Sequence, residues 1–202
     1  MTAQAGSISS AADPKLRQLR QQLRAKRRAL PDEIRAQADR AIHAHIKSLP
    51  EYRRARRIAL YLAFDGEPSL APLVDAARRH RKQLYVPVLH GMTMTFAELE
   101  HGAKLAANFF GIMEPKVGPK IDARDLDLVL TPLVAFDDRG VRLGVGRGYY
   151  DRAFNFLRHR SHWRRPKLLG VAYELQRVAP LTPSSWDVPL WGVVTEAGAR
   201  RF

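Results

Sequence analysis

A chain of 202 residues, 46% hydrophobic and 27% charged, has the length of one domain and the composition of a folded protein with a core to bury. No run approaches the ~18–20 consecutive apolar residues of a membrane span, and the lack of cysteine excludes disulfides, thiolate metal centres and a cysteine nucleophile. The net charge is +14, and +10 of it falls within residues 15–57, where fourteen Lys and Arg face four acids; such a segment suits nucleic acid, an anionic surface, a polyanionic small molecule, or only solvent.

Residues 1–13, MTAQAGSISSAAD, lack the basic start and apolar stretch of a signal peptide. They are expected to form a flexible tail on a cytoplasmic protein, with 14–202 as a single domain. From Lys15 to Leu30 the apolar residues Leu16, Leu19, Leu23 and Leu30 form one helical stripe. Arg17, Arg20, Arg24 and Arg27 repeat its spacing one residue later, about 100° around the helix, where a row of cations can lean over a cleft. Pro31-Asp32-Glu33 opens a second helix with the stripe Ile34, Ala38, Ile42, Ile46 and Leu49, ending before Pro50.

Beyond residue 57 the pattern alternates. RIALYLAF (57–64) reads as a buried strand, DGEPS (65–69) as a loop, and 70–81 as a helix. QLYVPVL (83–89) and MTMTFAELE (92–100) read as strands, and LDLVLTPLVAF (126–136) as the central one. A helix is expected over 149–160, then strands at 168–173 and 191–196. Strand–helix–strand alternation points to an α/β fold: a mostly parallel central sheet flanked by helices, in a Rossmann-like three-layer arrangement. The seven histidines form no metal-ligand pair, and His43 and His45, two apart on a helix, receive no role.

The stretch RLGVGRGYYD (142–151) follows the central strand and the turn DDRG, and leads into a helix. Glycines at 144, 146 and 148 let backbone N–H groups converge on phosphate oxygens, and Arg142 and Arg147 can neutralise them. The pattern is neither G-x-x-x-x-G-K-[ST] nor G-x-G-x-x-G. A glycine-rich hairpin with incidental arginines would read the same way. Asp151 beside such a loop calls for an intervening cation, Mg²⁺ being the usual one, unless it serves only the helix dipole. Asp187, in SSWDVPL, is the candidate second carboxylate.

The block LDLVLTPLVAFDDRGVRLGVGRGYYDRAF (126–154) resembles the signature of the 5-formyltetrahydrofolate cyclo-ligase family. YLAFDGEPSLAPLV, KQLYVPVL, FGIMEP and WDVPLWGVVTE extend the resemblance in the expected order. It implies an ATP- and Mg²⁺-dependent closure of 5-formyltetrahydrofolate to the 5,10-methenyl compound through a phosphorylated formyl group. Position by position, it implies that Lys15, Arg20, Arg142, Gly144, Gly146, Gly148, Tyr149 and Tyr150 contact ATP, with Arg17 able to replace Lys15. Leu62, Glu67, Phe110, Val145, Gly146, Arg147, Gly148 and Tyr149 would contact the folate, Glu67 through hydrogen bonds to the pterin. Arg142, Arg147 and Tyr150 would be catalytic, and Asp151 and Asp187 would hold Mg²⁺. The chain carries Ser69-Leu70 where many members carry Asp-Thr. A monomer acting on ATP and a folate, with or without a polyglutamate tail, is expected, with no membrane partner. The alternative is an RNA-binding protein without ATP turnover, using the basic first helix and the cluster Arg158–Lys167.

Overall fold

The computed structural model describes residues 13–159 and 165–202. Residues 1–12 of the expected tail and the interior of the 158–167 basic cluster lie outside them. Asp13 caps α1 (Pro14–Arg28) by accepting the Lys15 amide at 2.8 Å, Pro14 fits its first turn, and Lys26, Arg27 and Arg28 close its last. In α2 (Asp32–Ser48) the acids Asp32 and Glu33 start the helix, and Ala38, Ile42 and Ile46 are its buried stripe. A short α3 (Pro50–Arg54) follows, then β1 (Arg57–Ala59), α4 (Ala71–Arg79), β2 (Gln83–His90) and β3 (Thr93–Glu98). A hairpin of β4 (Leu105–Ala107) and β5 (Met113–Pro115) leads to β6 (Lys120–Ile121) and β7 (Leu128–Pro132). A second hairpin, β8 (Ala135–Phe136) with β9 (Arg142–Leu143), precedes α5 (Tyr149–Ala153). The chain ends through β10 (Lys167–Val171), β11 (Gly192–Thr195) and β12 (Gly198–Arg201).

The main sheet runs β12-β11-β10-β7-β1-β2-β3-β6, and its five central strands, β11 through β2, are parallel. Alternate residues of these strands serve two cores, as strands buried on both faces require. Ile58, Leu84, Val86, Leu128, Leu130 and Leu169 meet α2, α3 and α4 through Ile42, Ile46, Tyr52, Leu73 and Ala77. Ala59, Tyr85, Val129, Leu168 and Val193 meet the opposite layer, where Phe154 at the end of α5 is fully buried. The expected three-layer α/β arrangement is therefore the observed one. A third cluster joins Leu23 of α1 to Val134, Ala135, Leu143 and Leu181, docking the first helix on the β8–β9 hairpin.

Two apolar runs do not stay strand throughout. Residues 57–64 pair only as Arg57–Ala59, plus one further ladder bond from the Leu60 amide to the Tyr85 carbonyl at 2.9 Å. Residues 126–136 leave the sheet after Pro132 and turn back in the β8–β9 hairpin, whose turn contains Gly140 at φ 82°. Buried Asp137 ties that turn by accepting the Arg139 and Val141 amides at 2.9 and 3.0 Å. Both departures occur where β1 and β7 diverge. The chain passes from β1 to β2 on one side and later to β7 on the other, so a crevice opens beyond their carboxyl ends. The helix expected over 149–160 is α-helical only to Ala153 and then 3₁₀ over Asn155–His159, with residue 160 outside the described region.

Candidate active site

That crevice is a cleft of about 1060 Å³. Its floor is the end of the sheet: Tyr61 and Leu62 after β1, Val86 and Pro87 of β2, and Pro132 at the end of β7 with Leu133 beyond it. One wall is the segment Gly144–Asp151, and α1 closes over it with Leu16, Arg20, Arg24 and Arg27. The opposite wall is apolar, made by Met94 and the β4–β5 hairpin with Phe110, Ile112 and Met113.

The glycine segment takes shapes that other residues resist. Gly146 has φ 92°, and Gly148, the residue before α5, has φ 64°. The Gly144 carbonyl accepts from Arg20 Nε at 2.9 Å, and a Cβ on Gly146 would meet that same guanidinium at 3.7 Å. Arg20 is itself buried, so the first helix and the glycine loop form one surface. Arg147 lies over the Phe110 ring, 5.3 Å from its centroid, bringing a cation from the loop onto the apolar wall. Tyr149 edges the same ring at 6.5 Å and donates its hydroxyl to the Gly91 carbonyl at 2.9 Å. Tyr150 stacks on Phe154 at 6.3 Å. Burial, together with the charge of Glu67 across the cleft, pushes its phenol well above the usual range, so the hydroxyl keeps its proton.

Glu67 sits at the foot of the cleft in a turn closed on both sides. Its amide donates to the Phe64 carbonyl at 3.1 Å, and its Oε2 accepts the Phe64 amide at 3.1 Å. Burial pushes its carboxyl up to about 7, against the opposing pull of the Arg27 guanidinium and the Phe64 amide. Two residues earlier, Asp65 adopts φ 54° and gathers the arginines of α1. Arg24 Nε and Arg28 Nη1 approach its carboxylate at 2.7 and 2.8 Å, and Arg27 Nη2 at 3.1 Å. Burial alone would raise the Asp65 carboxyl, but hydrogen bonds from Arg24 and Arg28 outweigh it and hold the group below its ordinary value.

At the far end of the loop Arg142 is almost enclosed. Its Nη2 donates to Asp151 Oδ1 at 2.5 Å and its Nη1 to the Val188 carbonyl, while the Val188 amide also donates to Asp151 Oδ1 at 3.1 Å. Asp187 accepts the Ser184 amide at 2.8 Å; burial and the charge of Asp151 push its carboxyl up. Two hard carboxylates that repel each other at the rim of a glycine-lined cleft are a donor set suited to Mg²⁺, with further oxygens coming from a phosphate ligand. Among the described residues no group of three or more His, Cys, Asp or Glu could by itself hold a metal.

A profile described as the 5-formyltetrahydrofolate cyclo-ligase family matches residues 12–196. The chain belongs to the 5-formyltetrahydrofolate cyclo-ligase family. It is 37% identical over 188 residues to the 5-formyltetrahydrofolate cyclo-ligase of Haemophilus influenzae, covering 88% of this chain and 97% of the relative. It is 36% identical over 182 residues to the same enzyme of Escherichia coli, covering 86% and 96%. The solved structure of Aquifex aeolicus 5,10-methenyltetrahydrofolate synthetase superposes with a TM-score of 0.80 at 34% identity, covering 92% of each chain. A 5,10-methenyltetrahydrofolate synthetase from Mycoplasma pneumoniae shares the fold at a TM-score of 0.72 and 23% identity.

The structure brings nearly all of the expected cyclo-ligase residues to one cleft. Arg20, Leu62, Glu67, Phe110, Arg142, Gly144, Val145, Gly146, Arg147, Gly148, Tyr149, Tyr150, Asp151 and Asp187 all line it. Lys15 does not: it is exposed at the first turn of α1, outside the lining, and so is Arg17. Arg24 and Arg27, deeper along the same helical row, stand in the cleft instead. Arg142 lines the cleft with its terminal nitrogens on Asp151 and Val188. Ser69 and Leu70 stay clear of the cleft, and Leu70 is buried in the core. Asp65 and Trp186 line the site without having been singled out; an acid directly opposite an arginine row was the available signal for Asp65.

Proposed function

We propose that this chain closes 5-formyltetrahydrofolate to 5,10-methenyltetrahydrofolate with ATP as co-substrate, releasing ADP and phosphate. Family membership supports cyclo-ligase activity, and ATP as co-substrate is consistent with it. One observation carries the finer reading: the cleft has two walls of opposite chemistry. A wall of bare backbone and guanidinium groups suits a triphosphate, and a wall of Met94 and Phe110 above the floor residues Leu62 and Pro87, with Glu67 at its foot, suits a flat heterocycle with N–H donors.

In this reading the formyl oxygen attacks the γ-phosphorus and ADP leaves. N10 then attacks the activated formyl carbon, phosphate leaves with the former formyl oxygen, and the N10 proton is lost. Phosphorylation is needed because an amide oxygen is a poor leaving group. The protein's task is chiefly positioning and electrostatic stabilisation. Gly144, Gly146 and Gly148 offer backbone to the phosphates, Arg20 supports the loop from α1, and Arg147 moves its charge toward the transferring group. Tyr150 donates its hydroxyl to an oxygen carrying developing charge. Ionised Glu67 accepts from the pterin, with Leu62 and Phe110 packing on the ring and Val145 and Tyr149 bordering it. Asp151 and Asp187 would hold Mg²⁺, which when bound offsets phosphate charge. Arg142 fixes the Asp151 carboxylate for that purpose.

Against the RNA reading, part of the arginine row on α1 is turned into the fold, although Lys15, Arg17, Lys26 and Arg28 are exposed. Arg20, Arg24 and Arg27 turn inward to Gly144, Asp65 and the Leu133 carbonyl, away from an exposed strip. The deciding assay follows near-ultraviolet absorbance of the methenyl product from 5-formyltetrahydrofolate. Product is expected only with ATP and Mg²⁺ together, and omission of either, or EDTA, should abolish it. Product formation at the full rate without ATP would refute the reading.

A further inference from the structure

The loop that carries Glu67 is pinned from beneath by side chains that the reaction above does not use. Asp39 and His43 stand one turn apart on α2, on the stripe otherwise made of Ala38, Ile42 and Ile46, and both are buried. Apolar residues there would avoid the cost of burying polar groups. What the two polar side chains meet is the backbone immediately after Glu67. The Ser69 amide donates to Asp39 Oδ2 at 3.2 Å, and His43 Nε2 lies 2.6 Å from the Ser69 carbonyl. A carbonyl only accepts, so Nε2 carries the proton. Tyr173, also buried, donates its hydroxyl to the other Asp39 oxygen at 2.8 Å, tying α2 to the segment after β10. Tyr61 donates to the Pro68 carbonyl at 2.8 Å. Leu70 then enters the core and begins α4. Three consecutive residues are thus fixed directly beside the turn that aims Glu67.

We propose that Asp39 and His43, with Tyr173 behind them, are positioning residues that hold Glu67 at the foot of the cleft and so set the affinity for the folate. Both contacts to Ser69 use its backbone, while its Oγ accepts the Ala71 amide at 3.4 Å. Among the described residues the Glu67 carboxylate hydrogen-bonds only the Phe64 amide, so its direction depends on where the backbone is held. The proposal rests on the reading of Glu67 as the folate contact.

The test compares His43→Ala, which removes the donor, with His43→Gln, whose amide nitrogen can take the place of Nε2, in the full-length enzyme. Amide hydrogen exchange of the peptide spanning residues 63–70 reports the clamp itself. Steady-state kinetics with each substrate varied report its consequence. His43→Ala is expected to speed exchange in that peptide and raise the KM for the folate on the order of tenfold, as loss of one buried hydrogen bond does. The KM for ATP should stay within about twofold, and His43→Gln should restore most of the loss. In a Glu67→Gln background, His43→Ala should add nothing further to the folate KM. Unchanged exchange in residues 63–70, parallel rises in both KM values, or full additivity with Glu67→Gln would each overturn the proposal. A Glu67→Gln variant with normal folate KM would instead remove the assignment of Glu67, and the exchange measurement would still decide whether His43 holds the loop.

Discussion

Glu67 shows how one buried carboxyl links stability to substrate choice. In the folded chain it keeps its proton up to about pH 7, against an ordinary value of 4.5. The folded state therefore binds one more proton than the unfolded state between those values, and stability falls as pH rises through that window. Glu67→Gln removes the titration. The variant should be more stable than the parent above pH 7, with the difference vanishing toward pH 4, measured by denaturant unfolding at several pH values. Equal stability differences at pH 4 and pH 8 would contradict the burial argument. In the proposed reading the ionised form accepts pterin N–H donors, so kcat/KM for the folate should rise with pH through about 7 in the parent alone. Asp65 behaves oppositely, since its arginine partners favour the charged form.

Among the elements, α1 is the one whose placement decides the site. Its apolar edge docks on the β8–β9 hairpin through Leu23, and this brings Arg20 within hydrogen-bond reach of the Gly144 carbonyl. Leu23→Ala should cost about 3 kcal/mol of stability and raise the KM for ATP more than that for the folate, because the helix loses its seat beside the glycine loop. Thermal unfolding and initial rates check both effects; equal changes in the two KM values would contradict the separation. The periodicity of α1 and α2, and the row of arginines one position past the leucines, were legible because a helix repeats over many residues. The ends of apolar runs were not. Leu60 and Leu133 are hydrophobic and buried like the strand residues before them, yet Leu60 keeps one last ladder bond and Leu133 none, because the crevice opens there. Strand β12, with the sequence GARR, has no apolar pattern and exists by pairing with β11. The role of Arg142 was hidden for a related reason: Asp151 is nine residues away, and only the fold brings Val188 to both.

On the scale of the whole molecule, the positive charge divides between the two ends of the sheet. Part of it faces the cleft from α1. Another part, Arg53, Arg54, Arg56, Arg81 and Lys82, surrounds a second hollow at the amino ends of β1 and β2. The five residue steps from Arg57 to Leu62 span about 16 Å when extended, roughly two Debye lengths at physiological salt. Charge reversal at Arg54 and Arg81 together should therefore leave kcat/KM for both substrates within about twofold, whereas a large loss would show that the two ends are coupled. Most of the cleft residues named by the sequence resemblance cluster in 142–151 and 61–67, with Arg20, Phe110 and Asp187 apart from them, but the cleft itself depends on contacts across the chain. Among the described residues no helix is long and apolar enough to cross a membrane.

The central claim is that ATP activates the formyl oxygen inside this cleft. Turnover of substrate carrying ¹⁸O in the formyl group tests it directly, with mass spectrometry of the released phosphate. The account predicts one ¹⁸O atom in each phosphate formed; methenyl product accompanied by unlabelled phosphate would contradict it.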